Sequence, residues 1–163
     1  MTASPPEFTS SRYWLMKSEP SEASIDDLAR APKQTLPWTG VRSYQARNFM
    51  RDLMKPGDGV LFYHSSCPQP GIAGLAQIAG GLAADETQFD PSSPYHDLKS
   101  LQDQPRWLKV DVRLVQKTRL LGLAEMRLAP SLSTLQVLQR GNRLSITPVT
   151  APQWQAVLTL LGR

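Results

Sequence analysis

The chain has 163 residues, a net charge of +4, one cysteine and two histidines. This length is typical of one domain of about 100–200 residues. A domain of this size buries roughly 70% of its unfolded surface and needs no disulfide bond or metal ion to be stable. A single cysteine, Cys67, excludes an intramolecular disulfide, and the few cysteines and histidines leave too few ligands for a structural zinc site. We therefore expect a single domain over residues 12–163 that needs no metal and no cofactor.

Positive charge is concentrated in the last third of the sequence. Residues 106–163 contain nine Lys or Arg against two Asp or Glu, whereas residues 55–105 contain two against six. A basic excess of this size is compatible with a polyanionic partner such as nucleic acid, although many proteins with other functions carry as much.

The N-terminal residues do not form an obvious structural element. Residues 1–11 are rich in Ser, Thr and Pro and lack the apolar stretch of a secretory signal. No part of the sequence approaches the ~18 consecutive apolar residues of a membrane span, and a free thiol is normal in a reducing compartment. We expect a disordered leader over residues 1–11 and a cytoplasmic protein with no membrane partner.

The first predicted elements are a buried strand and a short helix. Residues 12–17 place bulky apolar side chains on both faces of a strand. Ser24 and Asp27 have capping-box spacing, which predicts a helix over residues 25–31. A loop that carries Trp38 follows.

The next predicted elements are a helix and two strands. Ser43 is a suitable N-cap for a helix through Met54, since apolar residues recur there at helical spacing. Residues 59–65 form an unbroken apolar run that predicts a buried strand. Residues 71–78 predict another strand, in which glycines mark a bulge or a close backbone approach.

The second half of the chain predicts a long ordered loop over residues 85–104 and then mainly strand. Residues 106–117 show the clearest alternation of apolar and polar side chains in the sequence. Short elements follow: helical segments at residues 123–126 and 135–138, and a strand at residues 144–147.

A C-terminal helix is predicted after Thr150, which forms a capping box with Gln153. Short strands of uneven spacing with single helices between them favour an α+β fold around a small mixed or antiparallel β-barrel. The sequence has no GxGxxG, P-loop or GxSxG motif, so the common nucleotide-binding and hydrolase signatures are absent.

Several motifs in order along the chain resemble the EVE domain family. The resemblance covers nearly all of residues 12–161 and is carried by the runs YWLMKSEP, TGVRSYQARNFMRD, FYHSSC, FDPSSPYHD, PRW and RLSITPVT. It implies a PUA-like β-barrel with flanking helices. It also implies a pocket that holds a modified base of DNA or RNA and performs no chemistry on it. We expect the protein to be a monomer.

The residue types in these motifs suit a nucleobase, which needs an aromatic slot, edge donors and acceptors, and cations for the backbone. By resemblance, the pocket is assembled from the KSEP, WTGVRSYQARN, FYHS and RLS segments. The candidate ligand-binding residues are Trp14, Lys17, Ser18, Trp38, Val41, Arg42, Asn48, His64, Ser65, Arg143, Leu144 and Ser145. Ser43 departs from the asparagine common in the family and would alter base preference if its side chain contacts the ligand.

Individual candidates also have structural interpretations. Trp14 on an interior strand is equally compatible with a core role. Trp38, in a loop between prolines and glycines, has less structural reason to be a large aromatic. His64 on a buried strand is more often hydrogen-bonded structurally than ligand-binding.

Two other function classes remain open. A nucleoside-processing hydrolase or glycosylase would use Glu19 as general acid and His64 as general base, but no nucleophile or metal site accompanies them. A protein-binding adaptor would use the acidic, proline-rich region 85–105. A binding module for nucleic acid with a modified base, such as a modified cytosine, is the leading hypothesis.

Overall fold

The computed structural model describes residues 8, 10 and 12–163. Its strands are β1 (Tyr13–Ser18), β2 (Thr35–Pro37), β3 (Gly59–His64), β4 (Gly71–Ala84), β5 (Leu108–Gly122) and β6 (Ile146–Val149). Its α-helices are α1 (Ile25–Arg30), α2 (Tyr44–Asn48), α3 (Leu123–Arg127) and α4 (Ala151–Leu160). The expected leader lies outside the described residues except for Phe8 and Ser10.

The six strands form one mixed sheet in the order β2-β5-β4-β3-β1-β6. β1 and β3 are parallel neighbours, and every other pair is antiparallel. This arrangement with surrounding helices confirms the α+β class. The sheet is not a closed barrel, because β2 and β6 form its two edges and do not pair with each other in the part of the chain that the structure describes.

The sheet separates two apolar cores, which explains why β1 and β3 are apolar on both faces. Trp14 and Phe62 pack on one side with α1 and α2, whereas Leu15 and Leu61 pack on the other side with α4. All four side chains are at most 1% exposed. Alternate residues of a strand point to opposite faces, so a two-sided core requires apolar residues at successive positions.

The predicted helix starts are confirmed. Capping boxes begin α1 at Ser24 and α4 at Thr150, and the hydroxyl of Ser43 accepts a hydrogen bond from the backbone N–H of Ala46 at the start of α2. The helix expected through Met54 continues past α2 only as a π-helical turn, Phe49–Leu53. None of the described helices has the length and apolar content to cross a bilayer.

Strand lengths differ most from expectation in the antiparallel pair β4 and β5. β4 continues to Ala84 because its ladder passes over bulges at Gly80 and Gly81, where both φ angles are positive. The short edge strand β2 falls where the sequence predicted only a loop. It places the following loop, with Trp38, at the end of the sheet.

Candidate functional site

A cavity of about 420 Å³ opens at the ends of β1 and β3. Its size is within the range of about 300–1,000 Å³ typical of small-ligand sites. Seven of the predicted site residues line it: Lys17, Ser18, Trp38, Val41, Ser65, Arg143 and Ser145. The cavity therefore brings together four segments that are far apart in the sequence.

Backbone hydrogen bonds connect the segments that form this cavity. The Ser65 N–H donates to the Ser18 carbonyl at 2.9 Å, which joins the ends of the parallel pair β1 and β3. The Lys17 N–H donates to the Ser145 carbonyl at 2.8 Å, and the Trp38 N–H donates to the Val110 carbonyl at 2.7 Å. The cavity walls are thus fixed to the sheet.

Two of the three aromatic residues on the cavity wall are Trp38 and Phe62. Their rings pack edge to face, with centroids 5.4 Å apart and planes at 80°. Trp38 is 9% exposed, so most of its surface belongs to the core and only a part faces the cavity.

Lys17 provides a cation that is not neutralised inside the protein. Burial lowers the pKa of its ammonium group. No ion pair or side-chain hydrogen bond joins Lys17 to another described residue. The cavity thus offers a half-buried donor that a ligand can satisfy.

Three further residues on the cavity wall, Glu22, Gly40 and Tyr95, were not in the predicted set. The Tyr95 hydroxyl donates to both carboxylate oxygens of Glu22, at 2.7 and 2.6 Å. Burial, the Glu22 hydrogen bond and nearby negative charge raise the pKa of Tyr95 to about 12. The signal in the sequence was the aromatic PYHD run, but nothing there linked it to Glu22.

Gly40 permits the close approach of Tyr95. Its φ is +84°, and a Cβ at this position would lie 2.9 Å from the Tyr95 ring. A side chain would therefore be strained by the backbone and would also displace the ring.

Arg42, a candidate ligand-binding residue, does not line the cavity. Its guanidinium donates to the Tyr95 carbonyl at 3.0 and 2.8 Å, to Asp85 Oδ2 at 3.0 Å and to Thr87 Oγ1 at 3.0 Å. These bonds use its donors inside the protein. Arg42 therefore supports the wall that carries Tyr95.

The partner of Arg42, Asp85, is fully buried. Burial alone would raise the pKa of the Asp85 carboxyl, but hydrogen bonds from Thr87, Gly40 and Arg42 outweigh it and hold the pKa below its usual range. Asp85 is thus an ionised anchor that binds the loop of Gly40 and the segment of Tyr95 together.

Four more predicted residues lie outside this cavity. Trp14 is 1% exposed, and its indole N–H donates to Asp58 Oδ2 at 2.9 Å, so its ring is a core element with no face for stacking. Asn48 Oδ1 accepts from the Arg47 guanidinium at 3.1 and 2.8 Å. Leu144 adjoins the cavity residues in sequence but does not line the cavity, and neither does the helix cap Ser43.

The fourth of these residues, His64, lines a second cavity of about 470 Å³ beside Cys67. Its Nε2 accepts a hydrogen bond from the Ile25 N–H at 3.0 Å, and burial lowers its pKa. Glu19 lines the first cavity. The acid and base of the alternative hydrolase therefore lie in different cavities.

The region 85–105, considered for a protein-binding adaptor, is anchored to the rest of the fold. The buried Gln88 side chain donates to the Trp107 carbonyl at 2.8 Å, and the Trp107 indole donates to Asp97 at 2.7 Å. Its contribution to the described cavity is Tyr95.

Many of the basic side chains in residues 106–163 are already paired. Ion pairs join Arg106 to Asp97, Lys109 to Glu86, Lys117 to Asp26 and Arg119 to Glu125. Arg140 and Arg143 are exposed, and no ion pair or side-chain hydrogen bond to another described residue is found for either. Of these two unpaired arginines, Arg143 lines the cavity.

Relatives with known structures have the same fold. A protein of Pseudomonas putida is 50% identical with a TM-score of 0.85, covering 91% of this chain and 98% of its own. The human THYN1 protein, in complex with DNA containing 5-methylcytosine, is 42% identical with a TM-score of 0.86, covering 94% of this chain and 99% of its own.

Sequence comparison gives the same result. Human thymocyte nuclear protein 1 is 42% identical over 167 residues, which cover 92% of this chain and 74% of that protein. The EVE domain model matches residues 12–160, as the motifs predicted. The chain therefore belongs to the EVE domain family.

Proposed function

We propose that the chain binds DNA that contains a modified cytosine, with 5-methylcytosine as the first candidate, and accepts that base in the cavity beside Trp38. The observation that carries the proposal is a cavity that combines an aromatic wall with a half-buried, unpaired ammonium group. It is supported by a family member, 42% identical, that was crystallised with DNA containing 5-methylcytosine.

The aromatic wall favours a flat ring as ligand. A base inside a duplex must leave the helical stack to enter such a cavity, at a cost of a few kcal/mol. Contact with an aromatic ring returns about 1–3 kcal/mol per base. In this proposal Trp38 provides that contact, and Trp14 takes no part because it is enclosed in the core.

Hydrogen-bonding groups on the wall suit the edge of cytosine, whose ring nitrogen N3 and carbonyl O2 are acceptors. Lys17 Nζ and the hydroxyls of Ser65 and Ser145 supply donors in the cavity. The Ser18 hydroxyl donates to the Ala23 carbonyl at 2.5 Å, so it retains only acceptor capacity. A base that accepts a hydrogen bond from Lys17 would offset the free-energy cost of burying this ammonium group.

Apolar side chains provide surroundings for a methyl group. Leu28, Leu36 and Val41 line the cavity together with the aromatic pair. Contact with apolar groups is the usual way in which proteins recognise a pyrimidine 5-methyl.

We also propose that binding is followed by no reaction. Glu19 and His64, the residues of the hydrolase alternative, line different cavities. His64 Nε2 already accepts the Ile25 N–H, so it is not available as a base toward a ligand in the first cavity.

The test measures affinity for oligonucleotides that differ only at one base. Fluorescence anisotropy at fixed salt compares duplex DNA with one 5-methylcytosine, the same duplex with cytosine, and an RNA of the same sequence. We expect preference for the methylated DNA. Equal affinity for the methylated and plain duplexes would contradict the proposal, and tighter binding of the RNA would reassign its partner.

Lys17→Met tests the cavity, because it removes the ammonium group and keeps a chain of similar length. Loss of one hydrogen bond from a charged donor should weaken binding on the order of tenfold. Lys55→Met is the matched control, since Lys55 is exposed at the opposite end of β3. Equal effects of the two variants would exclude the cavity as the binding site.

A further inference from the structure

The charges on the cavity wall are balanced, which limits what the cavity can hold. Lys17 and Arg143 supply positive charge, and Glu19 and Glu22 supply negative charge. The two carboxylates would repel a phosphate group. A neutral ring that carries both donors and acceptors can instead form hydrogen bonds with the cationic and the acidic side chains. The cavity thus suits a base, and an acidic side chain must face part of it.

Both acidic residues are exposed, and Glu22 is the one whose carboxylate is held by a neighbouring side chain. Both of its carboxylate oxygens accept from the Tyr95 hydroxyl, at 2.7 and 2.6 Å. No side-chain hydrogen bond or ion pair to another described residue holds Glu19. Specific recognition requires a group held in place by its neighbours, and Glu22 meets this condition.

Tyr95 is itself held from two sides. Its carbonyl accepts from Arg42 Nε at 3.0 Å and Nη2 at 2.8 Å, and its ring lies against Gly40. A tyrosine phenol is protonated at neutral pH, so the Tyr95 hydroxyl is a donor to Glu22, and the raised pKa of Tyr95 extends this state to higher pH. Each oxygen of a carboxylate can accept more than one hydrogen bond, so Glu22 keeps acceptor capacity for a ligand.

A carboxylate distinguishes two bases that the aromatic and apolar walls of the cavity treat alike. Thymine and 5-methylcytosine have the same ring size and the same methyl group, so Trp38 and the apolar wall contact both equally. They differ at position 4, where 5-methylcytosine has an amino donor and thymine a carbonyl acceptor, and at N3, which is an acceptor in 5-methylcytosine and carries a proton in thymine. An acidic side chain accepts from the amino group and opposes the carbonyl.

We propose that Glu22, oriented by Tyr95, selects 5-methylcytosine over thymine by accepting a hydrogen bond from its 4-amino group. This inference rests on the proposed function. Glu22 is the residue that reads the base, and Tyr95 is a positioning residue.

The experiment measures the ratio of Kd values for thymine and 5-methylcytosine. Each base is placed opposite an abasic site in the same duplex, so that neither needs to break a base pair to leave the helix. The hydrogen bond should give wild type a preference for 5-methylcytosine on the order of tenfold. Glu22→Gln should reduce the ratio severalfold, because an amide can both donate and accept and therefore no longer distinguishes the groups at position 4.

Tyr95→Phe separates positioning from stability. It keeps the ring against Gly40 and removes only the hydroxyl, so the ratio should fall to a value between those of wild type and Glu22→Gln. A merely structural Tyr95 would lower the melting temperature of the protein and leave the ratio unchanged, which would overturn its role. Asp103→Asn, an exposed acidic residue elsewhere, controls for the change in net charge.

The outcomes distinguish this inference from the proposed function. If wild type prefers 5-methylcytosine to cytosine but Glu22→Gln leaves the thymine ratio unchanged, the inference fails and the proposed function stands. A larger fall of the ratio in Glu19→Gln than in Glu22→Gln would also overturn it. If wild type shows no preference for the methylated base over plain cytosine, the proposed function itself fails.

Discussion

Asp85 is the residue on which the far wall of the cavity depends. Its carboxylate accepts from the Gly40 N–H at 2.8 Å, from Arg42 at 3.0 Å and from the Thr87 N–H and hydroxyl at 2.9 and 2.6 Å. A buried carboxylate with this many donors is stabilised in its charged form. One buried side chain thus fixes both the loop before α2 and the segment that presents Tyr95.

Asp85→Asn should lower the free energy of unfolding by about 3–5 kcal/mol at pH 7, because it leaves Arg42 without its buried partner. The pKa of Asp85 is held below its usual range, so its contribution is present above about pH 4 and is lost as pH falls through the lower folded-state pKa. Urea unfolding at pH 7 and pH 3 measures both effects. The variant should differ from wild type less at pH 3, and an equal difference at both pH values would contradict this account.

His64 should make stability depend on pH between 7.5 and 5.5. Burial lowers its folded-state pKa, so the unfolded chain binds a proton more readily and stability falls as pH drops below about 6.5. Protonation of Nε2 would also remove the acceptor of the Ile25 N–H. His64→Gln should flatten the profile, measured by urea unfolding, whereas the control His96→Gln should retain it; a profile unchanged in His64→Gln would refute the prediction.

Single residues show where sequence patterns predict a site and where they do not. Lys17, Ser18 and Trp38 lie at strand ends, where the sequence indicates ligand-binding side chains, and the cavity collects them. Arg42 has the same sequence signal, but its partner Asp85 is distant in the chain. Whether an arginine faces solvent, ligand or a buried carboxylate is decided by tertiary contacts that residue types alone do not encode.

At the scale of elements, helix α1 packs so closely on the sheet that one strand position must be glycine. A Cβ on Gly74 of β4 would lie 2.5 Å from Ile25 Cδ1 and 2.9 Å from the Gln116 carbonyl. Ile25 is the first residue of α1, and Glu22 and Ala23 of the cavity wall directly precede this helix. The glycine therefore determines how near the cavity wall lies to the sheet.

Gly74→Ala should cost about 1–3 kcal/mol of stability through overpacking, and it should also weaken DNA binding by shifting α1. Gly122→Ala is the matched control, since the nearest atom to its added Cβ is the Pro70 carbonyl oxygen at 4.0 Å. Chemical denaturation and anisotropy measure the two effects. Equal losses in both variants would show that the α1 contact is not the cause.

Elements with a strong local signal were predicted from sequence, and those set by pairing were not. The two capping boxes and the two-sided apolar strands β1 and β3 are encoded locally, so their positions are confirmed. β2 has three residues, too few to show alternation, and exists because it pairs with β5.

At the scale of the whole molecule, the net charge of +4 does not indicate where the proposed DNA ligand would lie. Carboxylates from distant parts of the chain pair with Lys109 and Lys117, whereas Arg143, which lines the cavity, and Arg140 have no ion pair to another described residue. Phosphate contacts release counterions only where cations are available to make them. The location of unpaired charge is therefore more informative than its total.

Replacing both Arg140 and Arg143 by alanine should reduce the slope of log affinity against log salt by up to about 1.8, since each phosphate contact contributes about 0.9. Arg119→Ala should leave the slope unchanged, because Glu125 already pairs with Arg119. Anisotropy titrations at 50–200 mM salt measure the slopes. A larger change in Arg119→Ala than in the double variant would place the DNA on another face.

The sequence also predicted the fold class, but it did not predict that the sheet stays open instead of closing into a barrel. Short strands with single helices between them indicate α+β, and this class is confirmed. Barrel closure depends on whether edge strands meet, which is a property of twist and register rather than of composition. Here β2 and β6 remain separate edges.

The parallel pairing of β1 with β3 has a consequence for how the binding site comes into existence during folding. The connection between these strands, residues 19–58, carries α1, β2, α2 and much of the cavity wall, including Trp38 and Glu22. Closing so long a loop is entropically slow compared with forming the β3–β4 hairpin, whose strands are joined by residues 65–70. The ability to bind a base should therefore appear late in refolding, after the hairpin has formed. Recovery of binding would then mark the time at which β1 pairs with β3.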